Sequence, residues 1–160
     1  MQMGKIIIFL MMSLMLSSCG KPEPSEYYDT AIDILIEDAQ GNSLFELTHE
    51  RYIDVSKAKI YYFIKGLKEY QYNSLLDCPS SLCAISEHGI RYARLFPYET
   101  KEDEYSLTHI QWNETDTDTV KCHYIRGDGS VTLDSVWYNG EFIFPDQGVP
   151  GLVRGIRIIK

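Results

Sequence analysis

Apolar side chains recur at every second position in two long stretches of this chain, and that period decides which kind of fold it can build. Ile32, Ile34 and Ile36 share one face against Asp33, Leu35 and Glu37. Ala58, Ile60, Tyr62 and Ile64 share another against Lys57, Lys59, Tyr61, Phe63 and Lys65. Successive strand side chains point to opposite faces, so this is the pattern of half-buried β-strands, and neither stretch shows helical spacing. Turn residues fall between the apolar runs at short intervals: Gly41-Asn42, Lys65-Gly66, His88-Gly89, Gly127-Asp128-Gly129 and Asn139-Gly140. Asn139-Gly140, between VWY and EFIF, is the strongest hairpin signal, because both residues tolerate the positive φ of a type I′ turn.

The reading gives roughly eight strands, near 31–37, 57–65, 68–72, 90–96, 105–113, 119–126, 130–138 and 141–144 plus 152–160. The fold class is all-β, and a single mostly antiparallel β-sandwich closes such a set, with immunoglobulin-like and transthyretin-like arrangements both open. The alternation slips twice. Leu107 and Ile110 are out of phase in YSLTHIQWN, as are Leu133 and Val136 in SVTLDSVWY, and each slip is read as a bulge that switches faces. Residues 46–56 have no clear period and read as a loop with a short helical turn.

The first 18 residues do not belong to this fold. Lys5 precedes Ile6–Leu16, an apolar run of eleven residues, too short to span about 30 Å of hydrocarbon as a helix and suited to the core of a signal peptide. Leu16-Ser17-Ser18-Cys19 then resembles the lipobox of bacterial lipoproteins. The resemblance implies a diacylglyceryl group on the Cys19 sulfur, cleavage before Cys19, and acylation of the new amine, with palmitate as a typical chain. Two or more chains, at ~0.8 kcal/mol per buried methylene, make a lasting membrane anchor where one is marginal. Gly20 after the cysteine, by resemblance to Gram-negative lipoprotein sorting, implies the outer membrane, with the periplasmic and surface faces both open. Residues 19–29, with Pro22 and Pro24, read as an extended tether, and residues 30–160 as the folded domain.

Charge and composition narrow the partners. Hydrophobic residues at 44% and charged residues at 24% are ordinary for a globular chain. Removing residues 1–18 discards one lysine and keeps all 23 acids, taking the formal charge from −8 to −9. Nothing forms a basic stripe, so nucleic acid is not an expected partner.

With Cys19 given to lipid, Cys78, Cys83 and Cys122 remain. Cys78 and Cys83 bracket Pro79-Ser80-Ser81-Leu82, and sealing that ring contributes roughly 2 kcal/mol. Pairings of Cys122 with either of them stay open. A zinc site is not expected: the spacing lacks a second close pair, His123 points away from Cys122 on a strand, and His49, His88 and His109 read as solvent or hydrogen-bonded residues. Asn113–Thr119 alternates oxygen side chains, as calcium prefers, but lacks the glycine and distal glutamate of an EF-hand loop and reads as a solvated connection, as does Lys101–Glu104. No cofactor is expected. Nucleophile-elbow, zincin, P-loop and dinucleotide motifs are absent, and carboxylate pairs such as Asp33 with Glu37 or Glu102 with Glu104 do not make a dyad by spacing alone.

Twelve tyrosines and two tryptophans are the more informative chemistry. Tyr61 and Phe63 face away from Ile60 and Ile64, and Tyr70 and Tyr72 recur with strand period across the 66–67 turn. Together they form a candidate ligand surface for sugar rings or a protein partner. The plainer reading is that tyrosine favours strands and fills sandwich cores.

The order IDILIEDAQGNSL, VSKAKIYYFIKGLKEYQYN, HIQWNETDTDTVKCHY and SVWYNGEFIF resembles small uncharacterised outer-membrane lipoproteins of Gram-negative gut bacteria. The resemblance implies a place in the envelope and a β-rich fold, and it carries no functional residues. The export it implies resembles systems that attach O-glycans at Asp, then Ser or Thr, then an aliphatic residue. Thr30 in Asp29-Thr30-Ala31 is the favoured acceptor over Thr119 and Ser135, because it sits by the tether. The expectation is therefore a lipid-anchored, non-catalytic envelope lipoprotein serving as a binding or structural accessory. A carbohydrate-binding module using exposed tyrosines is the second reading, and a lipoprotein enzyme without a recognisable motif is the third.

Overall fold

The computed structural model describes residues 27–99, 103–143, 149, 152 and 154–160. They form an all-β, sandwich-like fold of two mixed sheets. Its strands are β1 (Tyr27–Asp29), β2 (Ile32–Glu37), β3 (Lys59–Ile64), β4 (Leu67–Gln71), β5 (Leu82–Glu87) and β6 (Ile90–Leu95). They continue as β7 (Tyr105–Gln111), β8 (Thr117–Gly127), β9 (Ser130–Tyr138), β10 (Glu141–Ile143) and β11 (Gly155–Ile159). The large sheet runs β1-β9-β8-β7-β3-β4, with β10 also on β9, and the small sheet runs β11-β2-β6-β5.

The core lies between the sheets. Ile32, Ile34, Ile36, Ala93, Leu95 and Ile156 of the small sheet meet Ile60, Ile110, Val120, Cys122 and Val136 of the large one. Each fully buried aliphatic side chain contributes about 1.5–3 kcal/mol. The aperiodic segment 46–56 and the residues just before it add to this core: Leu44, Phe45, Ile53 and Val55 are buried, and Ile53 N donates to Leu44 O at 2.8 Å. A short 3-10 turn at Val55–Lys57, capped by Asp54, is the helical turn expected there.

The hairpins follow the turn chemistry. Asn139 and Gly140 have φ of 51° and 87°, and Lys65-Gly66 does the same at 51° and 80°. Paired positive φ matches the twist of the flanking strands, which is why these loops are tight.

Four expectations need correction. Tyr27–Asp29 is not tether but strand β1, paired in parallel with Ser130–Thr132 of β9. Leu82–Glu87, not expected as a strand, is β5 and pairs antiparallel with β6. Residues 141–144 and 152–160 do not act together: β10 joins the large sheet, while β11 runs parallel to β2 in the small one. The slip in β9 is a true bulge, since the register with β8 shifts between His123 and Tyr124 and leaves Asp134 unpaired. The slip in β7 is not, because its register with β8 is unbroken from Tyr105 to Gln111. There Ser106 and Thr108 point inward in line with Ile110, and Leu107 stays on the outer face.

Candidate functional site

Residues that alternate out of the core define the solvent face of the large sheet. Cross-strand register places Phe142, Trp137 and Lys121 in one row on β10, β9 and β8, with Leu107 of β7 opposite Lys121. Phe63 of β3 pairs with Lys68 of β4 further along the same face. The adjacent row pairs Thr119, His109, Tyr61 and Tyr70 on β8, β7, β3 and β4. From β4 to β10 are five strand spacings, about 24 Å.

The rings on this face contact one another in three groups. Tyr61 lies 5.6 Å from Tyr70, and Tyr70 is 6.4 Å from Tyr72 with planes 7° apart. Phe63 packs on His109 at 4.6 Å. Tyr105 sits 5.9 Å from Trp137, which sits 5.4 Å from Phe142. Lys68 Nζ stands 4.3 Å over the Tyr61 ring, and Lys121 Nζ stands 4.1 Å over Tyr105 and 5.0 Å from Trp137. Tyr70, Tyr72 and Phe142 remain 55%, 59% and 56% exposed, so about half of each side chain stays open to solvent beside these contacts. All four aromatic residues expected from sequence thus fall into one surface. Tyr105, Trp137 and Phe142 were missed, although Trp137 and Phe142 flank the Asn139-Gly140 turn at the spacing that makes them cross-strand partners.

His109 and His123 share this face in different surroundings. Burial, with Lys68 nearby, holds the His109 imidazole below its ordinary pKa, and its Nδ1 is buried without a hydrogen-bond partner among the described residues. His123 is 2.9 Å from Asp134 and 3.3 Å from Glu104, so both carboxylates at this margin are engaged by one ring.

At one end of the face a cleft of about 490 Å³ opens between Tyr52, Asp54, Lys57, Lys59, Gln111 and Asn113. Gln111 joins cleft and face, accepting from the Tyr61 hydroxyl at 3.3 Å. Tyr27, the first described residue, lies at the opposite end, where its N–H donates to Gly129 O at 2.7 Å in the β8–β9 turn. The cleft therefore opens away from the side on which the chain enters the sheet.

Behind the cleft stands a buried carboxylate. Asp118, 3% exposed, accepts from Trp112 Nε1 at 2.5 Å and Asn139 Nδ2 at 2.8 Å, and its Oδ2 is 2.5 Å from Lys160 Nζ. Burial pushes its pKa up, but Lys160, Tyr138, Asn139 and Trp112 outweigh that and hold it below the usual carboxylate range. With every donor around it fixed, Asp118 joins the β7–β8 turn, the β9–β10 turn and the end of β11.

The other sequence candidates are scattered. Cys19 and the 1–18 segment lie outside the described residues, as does Glu102 of the Glu102/Glu104 pair. Thr30 is half-buried between β1 and β2, and the preceding Asp29 is ion-paired with Arg154. Cys78 and Cys83 are bonded, with Cα atoms 5.6 Å apart. Cys122 is a buried free thiol, pushed up to about 12 by burial, which removes its nucleophilicity. Asp33 is taken by a bidentate pair with Arg94 at 2.7 and 3.0 Å, and Glu37 by Arg157 at 3.3 Å. In the 113–119 run, Asn113 Oδ1 accepts from Thr115 N and Asp116 N, and Lys160 binds Asp116 at 2.6 Å. Among the described residues no three His, Cys, Asp or Glu side chains are grouped to hold a metal ion. Nor is any described helix long and apolar enough to cross a membrane. Compared with known protein families, with curated proteins and with solved structures, the chain matches none.

Proposed function

We propose that this chain is a lipid-anchored, non-catalytic binding module of the outer membrane, and that the aromatic face of its large sheet is the ligand surface. The observation that carries the reading is the set of rings on one face of the large sheet between Tyr72 and Phe142, in three contacting groups: Tyr61 with Tyr70 and Tyr72, Phe63 with His109, and Tyr105 with Trp137 and Phe142. Rings half open to solvent retain apolar surface to bury, which is the usual mark of an interaction site on a soluble domain. Anchoring is supported by Leu16-Ser17-Ser18-Cys19 and the apolar run before it. A rigid sheet suits recognition, since every ring but Tyr72, just past the end of β4, is set by strand register.

The test uses the full-length lipidated protein in detergent, exposed to envelope extract and to a glycan array. Binding that is lost in Tyr61→Ala/Trp137→Ala, with thermal unfolding unchanged, supports the reading. Binding that survives this double substitution places the ligand surface elsewhere.

A further inference from the structure

The chain is acidic, with 23 Asp and Glu against 15 Lys and Arg, yet the charges interleaved with the rings on this face are cations. Lys59, Lys68 and Lys121 point to the same side as Tyr61, Phe63 and Trp137, and none of the three is paired with a carboxylate among the described residues. Of the carboxylates at the margin, Glu104 and Asp134 lie against His123 and Asp54 pairs with Lys57, while Glu114 lines the cleft with Lys59. An ammonium lying over a ring keeps its outer side open, and the ring beneath it contributes about 0.5–1 kcal/mol to holding it there. Lys68 and Lys121 sit three strands apart, about 14 Å, with Phe63 and Leu107 between them.

From this pattern we propose that the ligand is an acidic polysaccharide. Its sugar rings stack on Tyr70, Trp137 and Phe142, and its carboxylates meet Lys68, seated over Tyr61, and Lys121. Aromatic platforms take the apolar faces of sugars, and paired cations set at a fixed spacing select a chain that carries repeated anionic groups. A neutral glycan leaves both ammonium groups unanswered, and a run of acidic peptide residues brings carboxylates without the apolar C–H faces that a pyranose lays on an aromatic ring. This rests on the reading of the face as the ligand surface, and it adds the chemistry of the ligand.

The probes are polygalacturonate, alginate and hyaluronan, each with its carboxyl-reduced counterpart, titrated against the full-length protein in detergent at low and high salt. At least one acidic polymer is expected to bind at least tenfold more tightly than its reduced form. Lys68→Gln/Lys121→Gln should erase that preference, and Trp137→Ala should weaken binding to the same polymer at least tenfold. Equal binding of acidic and reduced polymers overturns the acidic specificity while leaving the face as the ligand surface. Binding indifferent to Trp137→Ala is ion exchange and overturns the stacking. Failure of all three polymers overturns the proposal, and a protein partner lost in Tyr61→Ala/Trp137→Ala would then keep the face and change its ligand.

Discussion

The Tyr138 hydroxyl donates to Asp118 Oδ2 at 2.5 Å inside the fold, joining β9 to the start of β8. Lys160 Nζ reaches the same oxygen at 2.5 Å, so one carboxylate ties three chain segments. Asp118→Ala leaves Trp112, Tyr138 and Asn139 without this acceptor, while Lys160 keeps Asp116, and should cost about 2–4 kcal/mol in denaturant unfolding. Tyr138→Phe removes one donor and keeps the ring, and should cost about 1–2 kcal/mol. A loss under 1 kcal/mol for Asp118→Ala would show that the cluster does not stabilise the fold.

Stability should fall with pH in two windows. Asp118 has a folded pKa below its unfolded value of about 3.9, so its contribution is complete above that pH and is lost as pH drops through the folded value. Asp134, lowered chiefly by His123, acts in the same direction. His109 is also lowered, by burial, so the unfolded chain takes up its proton first and stability starts to decline below about pH 6.5. Midpoints of thermal unfolding from pH 8 to 3 should show both declines, and His109→Gln should remove the upper one.

Thr108 sits fully buried on the inner face of β7, and its hydroxyl has no partner among the described residues. Thr108→Val keeps the shape and removes the unanswered polar group, so it should stabilise by about 1 kcal/mol. A destabilised variant would show that the hydroxyl is satisfied in solution.

How far the sequence reaches is clearest at such positions. The alternation of Ile32, Ile34 and Ile36 was legible because it records the inner face of β2 directly. Thr108 misled because a polar residue stands where the period calls for an apolar one, which imitates a bulge; the bulge at Asp134 was legible because the extra residue sets the inward-facing Leu133 and Val136 three positions apart. Strand β5 was hidden because an edge strand leaves Ala84 and Ser86 exposed and blurs its period. The parallel pairing of Tyr27–Asp29 with β9 has no local signature at all. On the candidate surface, Tyr61, Phe63, Tyr70 and Tyr72 could be grouped because one short turn links their strands. Tyr105, Trp137 and Phe142 join them only through register across β7, β8 and β9.

Thiol titration checks the cysteine assignments together. With Cys19 lipidated and Cys78 bonded to Cys83, no thiol should react in the native protein and one, Cys122, after unfolding without reductant. A second thiol after unfolding would show that Cys19 is unmodified. Cys19→Ala should in parallel abolish palmitate labelling and move the protein from the membrane to the soluble fraction.

The most direct test of the ligand surface is site-specific photo-crosslinking in intact cells, with the probe residue placed at Tyr70, at Trp137, or at Ser86 on the small sheet. Adducts at Tyr70 and Trp137 and none at Ser86 are expected. Adducts at Ser86 alone, or equal yields at all three positions, would contradict the aromatic face as the binding surface.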